Sequence, residues 1–397
     1  MDFVIVNVGI ISPKSYSGGF EAVREVCSQL IYKKHHLIIL TSKAGETFCK
    51  NMGIEADFWL IDSKEEMKTT NLLLISLEMV VRTFKAARLL KQKRFVTNTV
   101  VFAMSDLLWE VFPLIFVRKN SAIRVSSLHL TYPPPYRGYR GVFTNKLKVP
   151  SLRESLAYFQ SRLAFICMKH SSDLFFSLAS IKNYLTDRGI TEDKIIQLKP
   201  GIKLDFINTI PLSGKIYDAC WIGRYHPMKG CDDMLNIWHQ VSETRKGTKL
   251  LIMGNVVQKL SPMVKKLHLE ENVEFTGPIS DETKFRLMKA SKLLILPSYY
   301  ESWCVVALEA MACGLPVVAY DLPVYHDIYT RGMKTVSIGD KKDFGIAVMN
   351  LLENDYKLET LSREALETAA SYEHGWEDAV DRLLSKIKQI RLTLKSE

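Results

Sequence analysis

Two glutamates with seven residues between them, Glu301 and Glu309, stand in the stretch Pro297-Ser-Tyr-Tyr-Glu-Ser-Trp-Cys-Val-Val-Ala-Leu-Glu-Ala-Met-Ala-Cys-Gly-Leu-Pro316. Glu301 follows an apolar run with strand character, and Glu309 falls inside the helical segment that comes next. A carboxylate beyond a strand end can accept hydrogen bonds from sugar hydroxyls, while the first N–H groups of the helix, at Trp303 to Val305, have no partner within it. Glu309 has Ala, Leu and Met for neighbours, and burying an unpaired carboxylate is costly, so a dedicated partner is implied. A ribose diol would serve, and so would a structural ion pair; for Glu301 the plain alternative is solvation.

A second group, Cys220-Trp-Ile-Gly-Arg-Tyr-His-Pro-Met-Lys-Gly230, ends a strand in glycine and sets Arg224 and Lys229 just past it. Fixed cations at that place can neutralise a diphosphate leaving group as a glycosyl or phosphoryl bond breaks, or they can simply stand in solvent. A third group, Ser17-Gly-Gly-Phe-Glu21, opens a helix after the run Phe3-Val-Ile-Val-Asn-Val-Gly-Ile10. Glycines there allow backbone N–H groups close to a diphosphate or a sugar, or they make an ordinary turn. The three-glycine dinucleotide fingerprint is absent, which disfavours a nucleotide-sugar epimerase or dehydrogenase.

The elements that must position these groups alternate. Strands are predicted at 3–8, 37–41, 99–104, 122–128, 173–178 and 194–198, and again at 216–222, 249–253, 272–275, 292–297, 316–319 and 334–338. Helical spacing fills the intervals, as in Glu21 to Tyr32, Phe84 to Leu90, Asp281 to Ala290 and Val305 to Ala312. Such alternation predicts parallel sheets covered on both faces, and twelve strands exceed one ordinary sheet, so two doubly wound units are expected. Pro and Gly cluster from Lys199-Pro-Gly201 to Pro211-Leu-Ser-Gly214, where the break should fall. The expected division is 1–206 and 207–373, with 374–397 a closing helix that packs back toward the first domain. Ligands of such sheets bind beyond the carboxyl ends of the strands, and that is where all three groups lie.

On these residues the chain resembles the retaining glycosyltransferases of family four, the glycosyl transferases group 1, over nearly its whole length. The likeness takes in Gly18-Gly-Phe-Glu21, Gly223-Arg224 with Lys229-Gly230, Met253-Gly-Asn255, Val273-Glu-Phe-Thr-Gly-Pro-Ile-Ser280, and the Glu301/Glu309 block with Cys313-Gly-Leu-Pro316. It implies the α/β GT-B architecture, two Rossmann-like doubly wound domains facing across a cleft. It implies that Arg224 and Lys229 hold the donor diphosphate, Glu301 the hydroxyls of the transferred sugar, and the amides from Ser302 through Trp303 and Cys304 to Val305 the sugar and distal phosphate. Glu309 would take the ribose, and Gly254 with Pro278 and Ser280 would line the base pocket. Gly18 and Gly19 would touch donor or acceptor, and His129 would stand near the reacting carbon. Cys304 departs from the glycine many members have there, Asp321-Leu-Pro-Val-Tyr-His-Asp327 replaces a frequent Gly-Gly-x-x-Glu segment, and the interdomain Asn-Gly is Pro200-Gly201. No Asp-x-Asp occurs, in keeping with the metal independence typical of the fold. No cofactor is expected beyond the substrate, a UDP- or GDP-type sugar.

Composition bounds the rest. The 397 residues are 47% hydrophobic, a globular balance long enough for two or three domains at ~150 residues each. No apolar stretch reaches the ~18 residues of a membrane span, and the first residues read as a buried strand, not as an export signal. Seven cysteines without C-x-x-C spacing point to a reduced, cytoplasmic chain. The net charge of +10 divides unevenly: residues 1–200 carry 28 basic and 17 acidic side chains, residues 201–397 carry 25 and 26. A basic first half calls for an anionic partner. One basic cluster is Arg82, Lys85, Arg88, Lys91, Lys93 and Arg94. Another is Arg137, Arg140, Lys146, Lys148, Arg153, Arg162 and Lys169, with aromatics interleaved. A lipid-linked acceptor, with peripheral attachment to an anionic membrane face, is expected, and a soluble sugar acceptor is the next reading. Nucleic-acid binding would account for the basic half but not for the acid and base groups of the neutral half, and no nucleic-acid signature is present.

Overall fold

Runs of Val, Ile and Leu flanked by glycine become buried parallel strands, because both faces of such a strand must be covered by helices. The computed structural model describes residues 1–10, 12, 18–63, 71–96, 98–118, 121–129, 133–138, 147–212 and 214–396. It divides into two units, one of residues 1–132, 151–199 and 375–397, the other of 133–150 and 200–374.

The first unit holds β1 (Asp2–Val6), β2 (His36–Thr41), β3 (Asp57–Leu60), β4 (Thr99–Ala103), β5 (Ile123–Leu128), β6 (Leu174–Leu178) and β7 (Ile195–Leu198) in one sheet. Their order is β3-β2-β1-β4-β5-β6-β7 and all pairs are parallel, with Ile5 opposite both Ile39 and Phe102. The order reverses between β1 and β4. The last helix, Gly375–Ser396, buries Val380, Leu383, Leu384 and Ile387 and packs on helix Gly18–Tyr32 and on β7. Lys33 ties it down through Asp381 at 2.9 Å and Glu377 at 3.4 Å.

The second unit holds β8 (Tyr217–Ile222), β9 (Leu250–Met253), β10 (Val273–Gly277), β11 (Ser291–Leu296), β12 (Val317–Tyr320) and β13 (Met333–Val336). These too are all parallel, in the order β10-β9-β8-β11-β12-β13, and the reversal falls between β8 and β11. The period-2 alternation of a strand splits its core in two. Cys220, Leu294, Leu296 and Val317 face one cluster; Trp221, Leu293, Ile295 and Val318 face the other.

The twelve expected strands are all present, and β3 is an addition. It is a short edge strand, Asp-Phe-Trp-Leu, with no buried residue and therefore no apolar run to announce it. The basic cluster at 82–94 needs a correction. Arg82 is fully buried, 3.0 Å from Asp62 and 3.2 Å from Glu78, and donates to the Ile10 carbonyl at 2.7 Å, so it belongs to the interior. Of the second cluster, Arg140 and Lys146 lie outside the described residues, as does Ser17 of the glycine group.

Candidate active site

The reversal of strand order opens a crevice between β8 and β11, the usual ligand position of an open α/β sheet. Two loops meet there. After β8 the chain passes through Gly223 and the exposed Arg224 into a 3-10 turn, Pro227–Lys229, where the His226 imidazole accepts the Met228 N–H at 3.3 Å. Gly230 follows in the left-handed region at φ 62°, and a Cβ on it would stand 1.8 Å from the Pro297 carbonyl oxygen. Only glycine permits that approach. The Tyr299 N–H then donates to the Met228 carbonyl at 2.7 Å, so the loop after β11 is pinned to the loop after β8.

Pinning brings Lys229 to Glu301. The ammonium lies 2.8 Å from both carboxylate oxygens, and the Glu301 side chain is only 5% exposed. Burial disfavours the lysine charge, but the facing carboxylate prevails and the Lys229 pKa is raised above its ordinary value. Further along, Cys304 adopts φ 45°, ψ 52° and caps helix Val305–Ala312. Tyr329 donates to the Trp303 carbonyl at 2.9 Å and to that of Cys304 at 3.4 Å, which holds the strained turn and aims the first amides of the helix beyond the strand end. Burial pushes the Cys304 thiol up to about 12, so it is no thiolate nucleophile at neutral pH.

Glu309, within that helix, has its partner in Lys284, whose Nζ lies 2.7 Å from one carboxylate oxygen and 2.9 Å from Asp281. Burial works against the Lys284 charge, yet Glu309 and Asp281 outweigh it and raise its pKa. Lys284 rides on helix Asp281–Lys289, whose first turn Ser280 caps by accepting the Thr283 N–H at 3.3 Å. The backbones of β8 and β9 also converge: Gly254, at φ 119°, would put a Cβ 2.4 Å from the Gly223 oxygen, and its N–H donates to Gly277 at 3.0 Å. Arg224, Lys229, Gly254, Pro278, Ser280, the 301–305 segment and Glu309 are thus gathered at the carboxyl ends of β8, β9, β10 and β11. Two lysine–glutamate pairs and a helix N-terminus there suit a ligand with both anionic and hydroxyl groups.

Gly18, Gly19 and His129 belong to the first unit. The two glycines open helix Gly18–Tyr32, whose side chains are described from Phe20 onward. His129 follows β5 directly, with Nε2 3.0 Å from the Met104 carbonyl, a contact that requires the proton on Nε2. At the reversal point of this sheet lies a carboxyl that belongs to none of the three motif groups. Glu110 is buried, accepts from the Ser105 hydroxyl at 2.7 Å and from the Gly9 amide, and faces Asp106. Burial raises its pKa from 4.5 to about 7. Between those values the unfolded chain has lost a proton that the folded one keeps, so this group makes stability fall as pH rises from about 4.5 to about 7, with no further change above. Glu110→Gln removes that slope. Thermal melts should place the variant above the parent at pH 8, by up to about 3 kcal/mol, and level with it near pH 4.5. Equal melts at both pH values would show the carboxyl ionises normally.

Residues 206–368 match the family model described as glycosyl transferases group 1. The D-inositol 3-phosphate glycosyltransferase of Segniliparus rotundus is 27% identical over 199 residues, which are 48% of this chain and 44% of that protein. The chain thus spans somewhat under half the length of the curated relatives it matches. Among solved structures, sucrose-phosphate synthase from Thermosynechococcus elongatus superimposes with a TM-score of 0.71 over 99% of each chain at 16% identity. HepE from Anabaena, solved in complex with UDP-glucose, gives 0.68 over the whole of both chains at 15% identity. The fold is the GT-B fold of these proteins.

Proposed function

We propose that this chain, whose residues 206–368 match the glycosyl transferases group 1 model, is a retaining hexosyltransferase that takes its sugar from a nucleotide diphosphate of UDP or GDP type. The carrying observation is the Lys229–Glu301 pair, 2.8 Å apart at the reversal point of the second sheet, with Arg224 on the same loop. Lys229 and Arg224 take the diphosphate, and the amides from Ser302 to Val305 add to the positive field, which does the work a divalent ion does elsewhere. Once a phosphate oxygen shares the ammonium, Glu301 turns to the sugar hydroxyls. Glu309 and Lys284 together meet the ribose, and Gly254, Pro278 and Ser280 line the base.

In the transfer the bond from the anomeric carbon to the phosphate oxygen breaks, and the acceptor oxygen bonds to that carbon on the same face. The acceptor proton passes to the departing phosphate. Same-face displacement is favoured over a glycosyl-enzyme because Glu301 is committed to the sugar hydroxyls and the Cys304 thiol is kept protonated. The acceptor we propose is lipid-linked, or a glycoconjugate at the cytoplasmic membrane face, on the strength of the basic first half. A soluble acceptor is the second reading, favoured by the relative named for inositol 3-phosphate.

Calorimetry with UDP-, GDP- and ADP-sugars tests the donor assignment. One nucleotide should bind, and Glu309→Ala should weaken it by about tenfold or more because a buried polar group loses its partner. Binding of none, or an unchanged affinity in the variant, would remove the reading of this site. Anomeric configuration of the product by NMR tests retention.

A further inference from the structure

Helix Leu72–Gln92 of the first unit turns an apolar side outward. Leu73, Leu77, Val80 and Phe84 recur four and three residues apart, with Leu74 and Val81 beside them, and all six are exposed. Helix Leu152–Ser171 repeats the pattern with Leu152, Leu156, Phe159, Leu163 and Ile166. Both helices pack against the 3-10 segment Phe112–Phe116, where the Phe84 and Phe112 rings lie 5.8 Å apart and Ile115 is exposed between them. The twelve large apolar side chains are from 40% (Val81) to 79% (Leu73) exposed, an apolar patch on one side of the unit that solvated surfaces rarely carry.

What surrounds the patch indicates its occupant. The exposed charges on the two helices are Lys85, Arg88, Lys91, Arg153 and Lys169, all basic, and the exposed Arg118 follows the 3-10 segment. The one acid of each helix is half-buried and engaged, Glu78 by Arg82 at 3.2 Å and Glu154 in the Ser151 cap. A second copy of the chain meeting itself here would set cations against cations. We infer that this face is a bilayer-docking surface: the apolar stripes enter the acyl boundary and the basic rim meets anionic lipid headgroups. No described helix is long and apolar enough to cross the membrane, so the attachment is superficial. Bilayer docking deepens the proposed membrane-side acceptor and rests on it.

Sedimentation with vesicles, measured on the full chain without donor, is the test. Vesicles of phosphatidylcholine with phosphatidylglycerol should bind at least about tenfold more tightly than phosphatidylcholine alone. Leu77→Glu with Phe159→Glu should abolish binding to both, and Arg88→Glu with Lys91→Glu should erase only the anionic preference. If the apolar-to-acid pair fails to fold, Leu77→Ser with Phe159→Ser gives the same reading. No binding to anionic vesicles at low salt would overturn the inference, as would a parent dimer that the Leu77 and Phe159 changes dissociate. A chain that binds donor by calorimetry but not vesicles loses this surface and keeps the transferase reading.

Discussion

Lys229→Ala should lower kcat/KM by about a hundredfold to a thousandfold, the usual cost of removing one preorganised charge from a developing anion. Two separable losses are involved. The first is electrostatic: the ammonium on the 3-10 turn is fixed by both Glu301 oxygens, while Arg224 on the same loop stands exposed. The second is structural, since removal of the cation leaves the Glu301 carboxylate, 5% exposed, without its ion pair. Because Lys229 itself keeps some contact with water, that stability loss should be about 2 kcal/mol, below the range for a wholly buried pair. The double variant Lys229→Ala/Glu301→Gln distinguishes the two. Its Tm should recover most of the loss, because a neutral amide tolerates the site, and its turnover should not recover. A single variant within tenfold of the parent would mean that the diphosphate is held elsewhere.

The pairing also shows how far the residues could be read in advance. Strands were legible because a buried parallel strand is an uninterrupted apolar run, and helix Val305–Ala312 stands at its expected limits for the same reason. The edge strand β3 had no such run, since neither of its faces is buried. The need of Glu309 for a partner was legible from its apolar neighbours; the identity of that partner was not. Lys284 looks in one dimension like any solvated lysine in the first turn after a Ser cap, and only packing of helix Asp281–Lys289 beside helix Val305–Ala312 brings it to 2.7 Å. Arg82 fails in the opposite direction. It reads as one more cation of a basic stretch, yet its helix rolls it inward onto Asp62 while Lys85 and Arg88 stay outside. Glu110 did carry a signal, an acid inside Leu107-Leu-Trp-Glu-Val-Phe-Pro113, but without the sheet order nothing tied it to the crevice beside Gly9.

Gly230→Ala should be among the most destabilising single changes in the second unit, by about 4 kcal/mol or more, seen as a fall in Tm of about 10 °C. The added Cβ would meet the Pro297 oxygen at 1.8 Å and its carbonyl carbon at 2.8 Å, both backbone atoms of the loop that carries Glu301. Neither can swing aside as a side-chain tip could. The left-handed φ of 62° adds a strain of about 1 kcal/mol that alanine bears and glycine does not. Gly247→Ala in the same unit separates these contributions, for Gly247 has φ 78° and nothing within 4 Å of the added carbon. Gly247→Ala should therefore cost only the conformational part, and the difference between the two melts measures the close approach of the two loops. Donor affinity should fall with Gly230→Ala and not with Gly247→Ala, since relief of the clash must part the turn bearing Lys229 from the loop bearing Glu301. Equal costs for both substitutions would mean that the loops after β8 and β11 are free to separate, and that their close approach at Gly230 is not what holds Lys229 against Glu301.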